Sequence, residues 1–251
     1  MLAELTSSDI RLWYCPLAGL DAQLRQACRM LLDGSERLRL ERYISTDAAD
    51  QFLVGRALAR CGLSLYAPGA PADWRFETNG QGKPRLAARH GADWLSFNIS
   101  NTRGMVACAL GRDAAIGVDI EADRQTYDPG IAERFFTSSE TSAIETAHPG
   151  DRAARFLKTW TLKEAVVKAT GLGLSCPLSA FDVDIDAHSP RVAFSQPMPE
   201  DPRNWQLFSL PLESTYTAAV AVRRYADRGL RLIAGRLPLE AILGRLTDAR
   251  Q

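Results

Sequence analysis

Residues 151–174 run Asp-Arg-Ala-Ala-Arg-Phe-Leu-Lys-Thr-Trp-Thr-Leu-Lys-Glu-Ala-Val-Val-Lys-Ala-Thr-Gly-Leu-Gly-Leu. The spacing predicts a helix over 151–170, the longest and most regular in the chain, stopped by Gly171-Leu172-Gly173. Leu162, Val166 and Ala169 form its core stripe, while Trp160, Glu164 and Lys168 recur at i, i+4, i+8 on another side. Shorter helices are expected just upstream, at about 129–136 and 139–147. Strands follow, at Phe181–Ile185, Arg191–Phe194, Trp205–Leu210 and Tyr216–Val222. The same order stands earlier in the chain. A strand over 9–15 precedes a helix from Asp21 that Gly34 ends, a short helical segment around Glu36–Tyr43, and a third helix capped by Ser45 or Thr46. A loop broken by Pro68, Gly69 and Pro71 leads to Trp74–Glu77, a Gly-rich turn, and strands near 94–100 and 105–110. Gly111-Arg112-Asp113 reads as a turn between halves, and Ala115–Glu121 as the strand after it. Helices followed by strands, twice over, predict an α+β protein of two similar halves. The expected boundaries are 1–111 and 112–226, with a C-terminal tail over 227–251. That tail holds a strand at Leu230–Ala234 and a short helix after Pro238.

Bulk composition narrows the function classes. The 251 residues carry thirty Lys+Arg and thirty Asp+Glu, a formal net charge of zero, with 46% hydrophobic and 24% charged residues. Such a chain is neither disordered, collagen-like nor a supercharged nucleic-acid binder. Five cysteines, odd in number and without a Cys-x-x-Cys pair, argue against a disulfide framework or a structural zinc site. No apolar run reaches the length of a membrane span or a signal peptide, so a cytoplasmic protein off the membrane is expected. Only four of the thirty basic residues are lysines, namely Lys83, Lys158, Lys163 and Lys168, and three of them fall within eleven residues.

Three stretches carry chemistry. In Gly117-Val118-Asp119-Ile120-Glu121, strand alternation puts Asp119 and Glu121 on one face, roughly 6.5–7 Å apart at Cα, with Val118 and Ile120 on the other, toward the core. Two such carboxylates repel unless a cation offsets them, and oxygen-only ligands suit Mg²⁺ with phosphates as co-ligands. A solvated strand end is the plain alternative. On the long helix, Glu164 and Lys168 read either as a surface pair or as a metal ligand or base beside a phosphate-binding lysine, with Lys163 also meeting phosphate oxygens. Gly80-Gln81-Gly82-Lys83-Pro84 is a turn whose lysine can touch a phosphate, although it lacks Walker A spacing. Phe135 and Phe136 read as core. Ser138 or Ser139 reads as an N-cap and Glu140 as a solvated first-turn carboxylate.

Taken in order, Gly-Lys-Pro (82–84), Phe-Asn-Ile-Ser (97–100), Gly-Val-Asp-Ile-Glu (117–121), Arg-Phe-Phe with Glu140 (134–140) and Trp-x-x-Lys-Glu-Ala-x-x-Lys-x-x-Gly-x-Gly-Leu (160–174) resemble the 4′-phosphopantetheinyl transferases of the larger, surfactin-activator type. The resemblance covers roughly residues 35–185. It implies a pseudo-twofold pair of α+β halves with coenzyme A in the cleft between them, and a monomer. It implies Mg²⁺ held by Asp119, Glu121 and Glu164 together with the coenzyme A pyrophosphate. The phosphopantetheine arm would pass to a serine of an apo acyl or peptidyl carrier protein, releasing adenosine 3′,5′-bisphosphate. By position, Lys83, Ser100 and Lys168 would contact coenzyme A, with Glu164 as base. Arg39, Arg56 and Arg60 lie where the family places basic residues, Arg39 toward the 3′-phosphate. Arg56 reads equally as a structural ion-pair partner. The chain departs from the family pattern at Asn101, where a histidine is usual, and at Leu172, where many members have lysine. Asn101 can donate a hydrogen bond to the 3′-phosphate but carries no charge. The alternative reading is a catalytically impaired relative that binds coenzyme A or a carrier protein without turnover.

Overall fold

The computed structural model describes residues 2–196, 198–224, 229–238 and 241. The chain forms two units. The first comprises residues 1–79, 84–113 and 229–251, and the second residues 80–83 and 114–228. The terminal stretch 229–251 therefore belongs with the first unit, where its strand enters the sheet. The short helix expected after Pro238 lies outside the described residues.

In the first unit, β1 (Asp9–Pro16) leads to α1 (Ala22–Leu31), α2 (Gly34–Leu40) and α3 (Thr46–Tyr66). The hairpin β2 (Phe76–Thr78) and β3 (Pro84–Leu86) and the long strands β4 (Leu95–Thr102) and β5 (Met105–Arg112) follow. Gly34 does not end α1, which stops at Leu31; it opens α2 behind the N-cap Asp33. The four-stranded sheet runs β11–β1–β5–β4, where β11 (Arg231–Arg236) lies parallel to β1 and the other pairs are antiparallel. The helix α3 packs on this sheet through Val54, Ala57, Leu58 and Cys61 against Phe97, Val106, Cys108 and Leu110. Gly55 and Gly62 bring it close: a Cβ at Gly55 would sit 3.2 Å from Ile99 Cγ2, and one at Gly62 would sit 3.3 Å from Leu110 Cδ1.

The second unit opens with β6 (Ala115–Ala122), then α4 (Pro129–Phe135), α5 (Ser138–Glu145) and α6 (Arg152–Thr170). The hairpin β7 (Phe181–Asp184) and β8 (Arg191–Phe194) precedes β9 (Trp205–Leu212) and β10 (Tyr216–Arg223). The antiparallel sheet runs β6–β10–β9. Apolar spacing on α6 buries Leu162, Val166 and Ala169 against Leu207, Ala219 and Ala221. Gly171, at φ 72°, closes the helix in the left-handed conformation that a residue without Cβ adopts freely. Phe136, Phe156 and Trp160 stack with Tyr127 and Phe135 into an aromatic cluster under the other side of α6. Trp160 is thus a packing residue. All five cysteines are buried free thiols. No described helix is long and apolar enough to cross a membrane.

Candidate active site

The odd-numbered face of β6 carries Gly117, Asp119 and Glu121, and it is the face on which α6 lies. Register shows why: Gly117 pairs with Ala221 and Asp119 with Ala219, and both alanines pack against α6. Strand and helix touch backbone to backbone. A Cβ on Gly117 would fall 1.9 Å from Ala165 O and 2.4 Å from Ala169 N, so only glycine permits this approach. Val118 and Ile120 are buried on the opposite face as expected, but Asp119 is buried too, at 5% exposure. This is no solvated strand end.

Across from these carboxylates, α6 presents Glu164 and Lys168. Lys168 Nζ donates to Asp119 Oδ1 at 2.6 Å. The lysine is therefore matched with the strand carboxylate, and its charge acts on Glu164 as well. Burial, and next the negative charge of Asp119, push the Glu164 carboxyl above the usual carboxylate range; Glu121 adds to the effect and Lys168 opposes it. Three carboxylates thus feel one another with a single lysine among them. Among the described residues, no three His, Cys, Asp or Glu side chains already stand as a closed metal-ligand cluster. Glu121 also lies 3.5 Å from the exposed guanidinium of Arg124.

Lys83 belongs to the second unit with the turn 80–83. Its ammonium donates to Ile116 O at 2.9 Å and to Ala169 O at 3.3 Å, so it ties the start of β6 to the C-terminal carbonyls of α6. Burial, and then the charge of Arg223, push it down to about 8.

Lys163 is not a phosphate-side residue. It is fully buried, and its three donors are used: Nζ donates to Leu178 O at 2.8 Å, to Phe181 O, and to Glu140 Oε2 at 2.8 Å. Glu140 correspondingly is not a solvated first-turn carboxylate. It is 7% exposed and completes a capping box with Thr137, which is the N-cap of α5 in place of Ser138 or Ser139. The Thr-x-x-Glu spacing of Thr137 and Glu140 is the signal that identifies this cap from sequence.

The remaining expected contacts lie in the first unit. Ser100 is buried on β4, while Asn101 is exposed. Alternation puts them on opposite faces, with Asn101 on the face that carries Phe97 and Ile99 toward α3. Arg39 is exposed, its guanidinium 5.1 Å from the centre of the Phe52 ring. Arg56 is buried and holds Glu36 Oε1 at 3.3 Å, which fulfils the ion-pair reading. Fully buried Arg60 grips the same carboxylate at 2.6 and 3.2 Å. Glu36 was not singled out from the sequence, although Asp33-x-x-Glu36 is a capping-box spacing.

Residues 115–221, which include β6 and α6, match the family model of the 4′-phosphopantetheinyl transferase superfamily. The 4′-phosphopantetheinyl transferase HetI of Nostoc is 30% identical over 219 residues, covering 87% of this chain and 89% of that protein. The 4′-phosphopantetheinyl transferase Sfp of Bacillus subtilis is 31% identical over 166 residues, covering 62% of this chain and 72% of that protein. A likeness of this extent, joined to the motif residues meeting between β6 and α6, places the chain in the 4′-phosphopantetheinyl transferase family.

Proposed function

We propose that this transferase moves the phosphopantetheine arm of coenzyme A onto a serine of an apo acyl or peptidyl carrier protein, using Asp119, Glu121, Glu164 and Lys168. The observation that carries the reading is the 2.6 Å contact of Lys168 on α6 with Asp119 on β6, beside a Glu164 that feels the charges of Asp119 and Glu121. In the reaction, the serine Oγ forms a bond to the pantetheine-side phosphorus, and the bond from that phosphorus to the bridging pyrophosphate oxygen breaks. Adenosine 3′,5′-bisphosphate leaves with the bonding electrons.

A serine hydroxyl is a weak nucleophile at neutral pH and needs a base. We assign Glu164 to take the serine proton, directly or through a water that it holds. Lys168, held 2.6 Å from Asp119, supplies positive charge where the pyrophosphate gathers negative charge. The donor set fits Mg²⁺, since it is all oxygen and carries an excess of negative charge that a dication relieves. Asp119, Glu121 and Glu164 would hold such an ion, which would supply charge neutralisation on the pyrophosphate. On the coenzyme A side we assign Lys83, Lys168, Ser100, Asn101 and Arg39. Lys163 and Arg56 are left out, because buried carboxylates already hold them. The five buried free thiols support a reducing cytoplasmic setting. The presence of both units in one chain supports a monomer.

Mass spectrometry of an apo carrier domain incubated with the protein, coenzyme A and Mg²⁺ tests this. The carrier gains one phosphopantetheine arm, and excess chelator abolishes the gain. Asp119→Ala and Glu164→Ala each lower the rate by roughly 100-fold or more while the fold survives. An undiminished rate in either variant overturns the assignment. Coenzyme A binding without any mass gain assigns the non-catalytic reading instead.

A further inference from the structure

We infer that Glu140 and Lys163 are positioning residues: together they set the rotation of α6 about its axis, and so aim Glu164 and Lys168 at β6. The inference rests on the functional reading above.

The pair is a saturated hub. Glu140 Oε1 accepts from Val183 N at 2.8 Å, and Oε2 accepts from Thr137 N at 3.0 Å and from Lys163. The ammonium reaches the Leu178 and Phe181 carbonyls at the same time and lies 4.4 Å from the Phe181 ring centre. One point on α6 is thereby fastened to the start of α5, the turn at 178–180 and β7.

The helix is held from two sides. The backbone contact at Gly117 sets how far Ala165 and Ala169 stand from β6, and the hub at Lys163 fastens a different side of α6 against turning. Lys163 and Glu164 are adjacent, about 100° apart around the helix, so holding one side chain in azimuth holds the other. At a side-chain radius of about 5–6 Å, a 20° turn would move the Glu164 carboxylate by about 2 Å. Misplacement by about 1 Å is enough to cost about 100-fold in a positioned reaction. A buried ion pair is a poor source of stability compared with packed apolar groups, whereas its fixed geometry specifies register.

The test is the double variant Glu140→Gln/Lys163→Met, which leaves no unpaired buried charge. Its melting temperature, steady-state kinetics, and Mg²⁺ affinity by calorimetry on the coenzyme A-loaded protein are compared with wild type. Positioning predicts that kcat and Mg²⁺ affinity each fall about 10–100-fold, while KM for coenzyme A stays within about threefold. If kcat and Mg²⁺ affinity are both unchanged in a folded double variant, the inference is overturned and the hub serves packing alone. A tenfold rise in KM for coenzyme A at unchanged kcat would overturn it too, by restoring a phosphate contact. Should the double variant fail to fold, Glu140→Gln alone, which keeps Lys163 on its two carbonyls, is judged by the same criteria. Wild-type protein that neither binds Mg²⁺ nor transfers the arm would overturn the functional reading, and this inference with it. That outcome is distinct from failure in the variant only.

Discussion

In the first unit, the glutamate three residues into a short capped helix, Glu36 of α2, receives Arg60 and Arg56 from the long helix α3. In the second unit, the glutamate at the same helical position, Glu140 of α5, receives Lys163 from the long helix α6. Each unit lays its long helix on an antiparallel stretch of sheet and straps it down with a buried charge pair from a short helix. The difference lies in what surrounds the strap. Around Glu36 the balance is cationic, with two buried arginines on one carboxylate and Arg39 stacked on the Phe52 ring beside them. In the second unit Lys163 is satisfied by one carboxylate and two carbonyls, and the next residue, Glu164, faces Asp119 and Glu121. One joint therefore serves two chemistries. Arginine, with five donors in a fixed fork, shares a carboxylate with another arginine; lysine, a compact charge, closes a small hub of carbonyls.

Substitutions can break this parallel. The largest effect is expected at Gly117. In Gly117→Ala the new Cβ would meet the backbone of α6 at 1.9 Å, so strand and helix must part. We expect a loss of about 3 kcal/mol or more in chemical denaturation, accompanied by loss of transfer. A stable, active Gly117→Ala protein would show that the β6–α6 approach is not required. Glu36→Ala should match it in stability while leaving the β6–α6 approach intact. It strands Arg60, at 0% exposure, and Arg56, and should cost about 3–5 kcal/mol by urea titration. A cost below about 1 kcal/mol would mean that the first strap is not equivalent to the second. The smallest effect is expected at Gly55→Ala. Its Cβ would meet only side-chain methyls, Ile99 Cγ2 at 3.2 Å and Val106 Cγ1 at 3.4 Å, and the helix gains propensity, so the net change should stay within about 1 kcal/mol. A large loss there would erase the contrast between a glycine that spares side chains and one that spares backbone.

Much of the secondary structure was legible in the sequence. The helix expected over 151–170 is α6 at Arg152–Thr170, because its apolar spacing and the Gly171 stop are local signals. The strand expected at 230–234 is β11, yet its parallel pairing with β1 joins residues more than two hundred apart, and no local pattern encodes that. Within the site, Asp119, Glu121, Glu164 and Lys168 were legible as a set through their motifs. The partner of Lys168 was not, because i, i+4 spacing on a helix proposes Glu164 and only the facing strand supplies Asp119. Lys163 and Glu140 were misread for a related reason. A charged side chain is assigned to solvent by default, and burial with a matching partner is visible only once the helices are packed.

The sequence by itself determined the α+β order of elements, the family motifs and the four residue types that meet between β6 and α6. The order of elements follows from periodicity, capping and glycine stops, which act over a few residues, and the set of four from the resemblance to the family. Only the tertiary structure decided which partner each charge takes. Lys168 and Lys163 stand five residues apart on one helix, one against Asp119 of β6 and the other sealed in a hub with Glu140. A charge takes its role from the partners that desolvation forces upon it, and those partners come from distant parts of the chain.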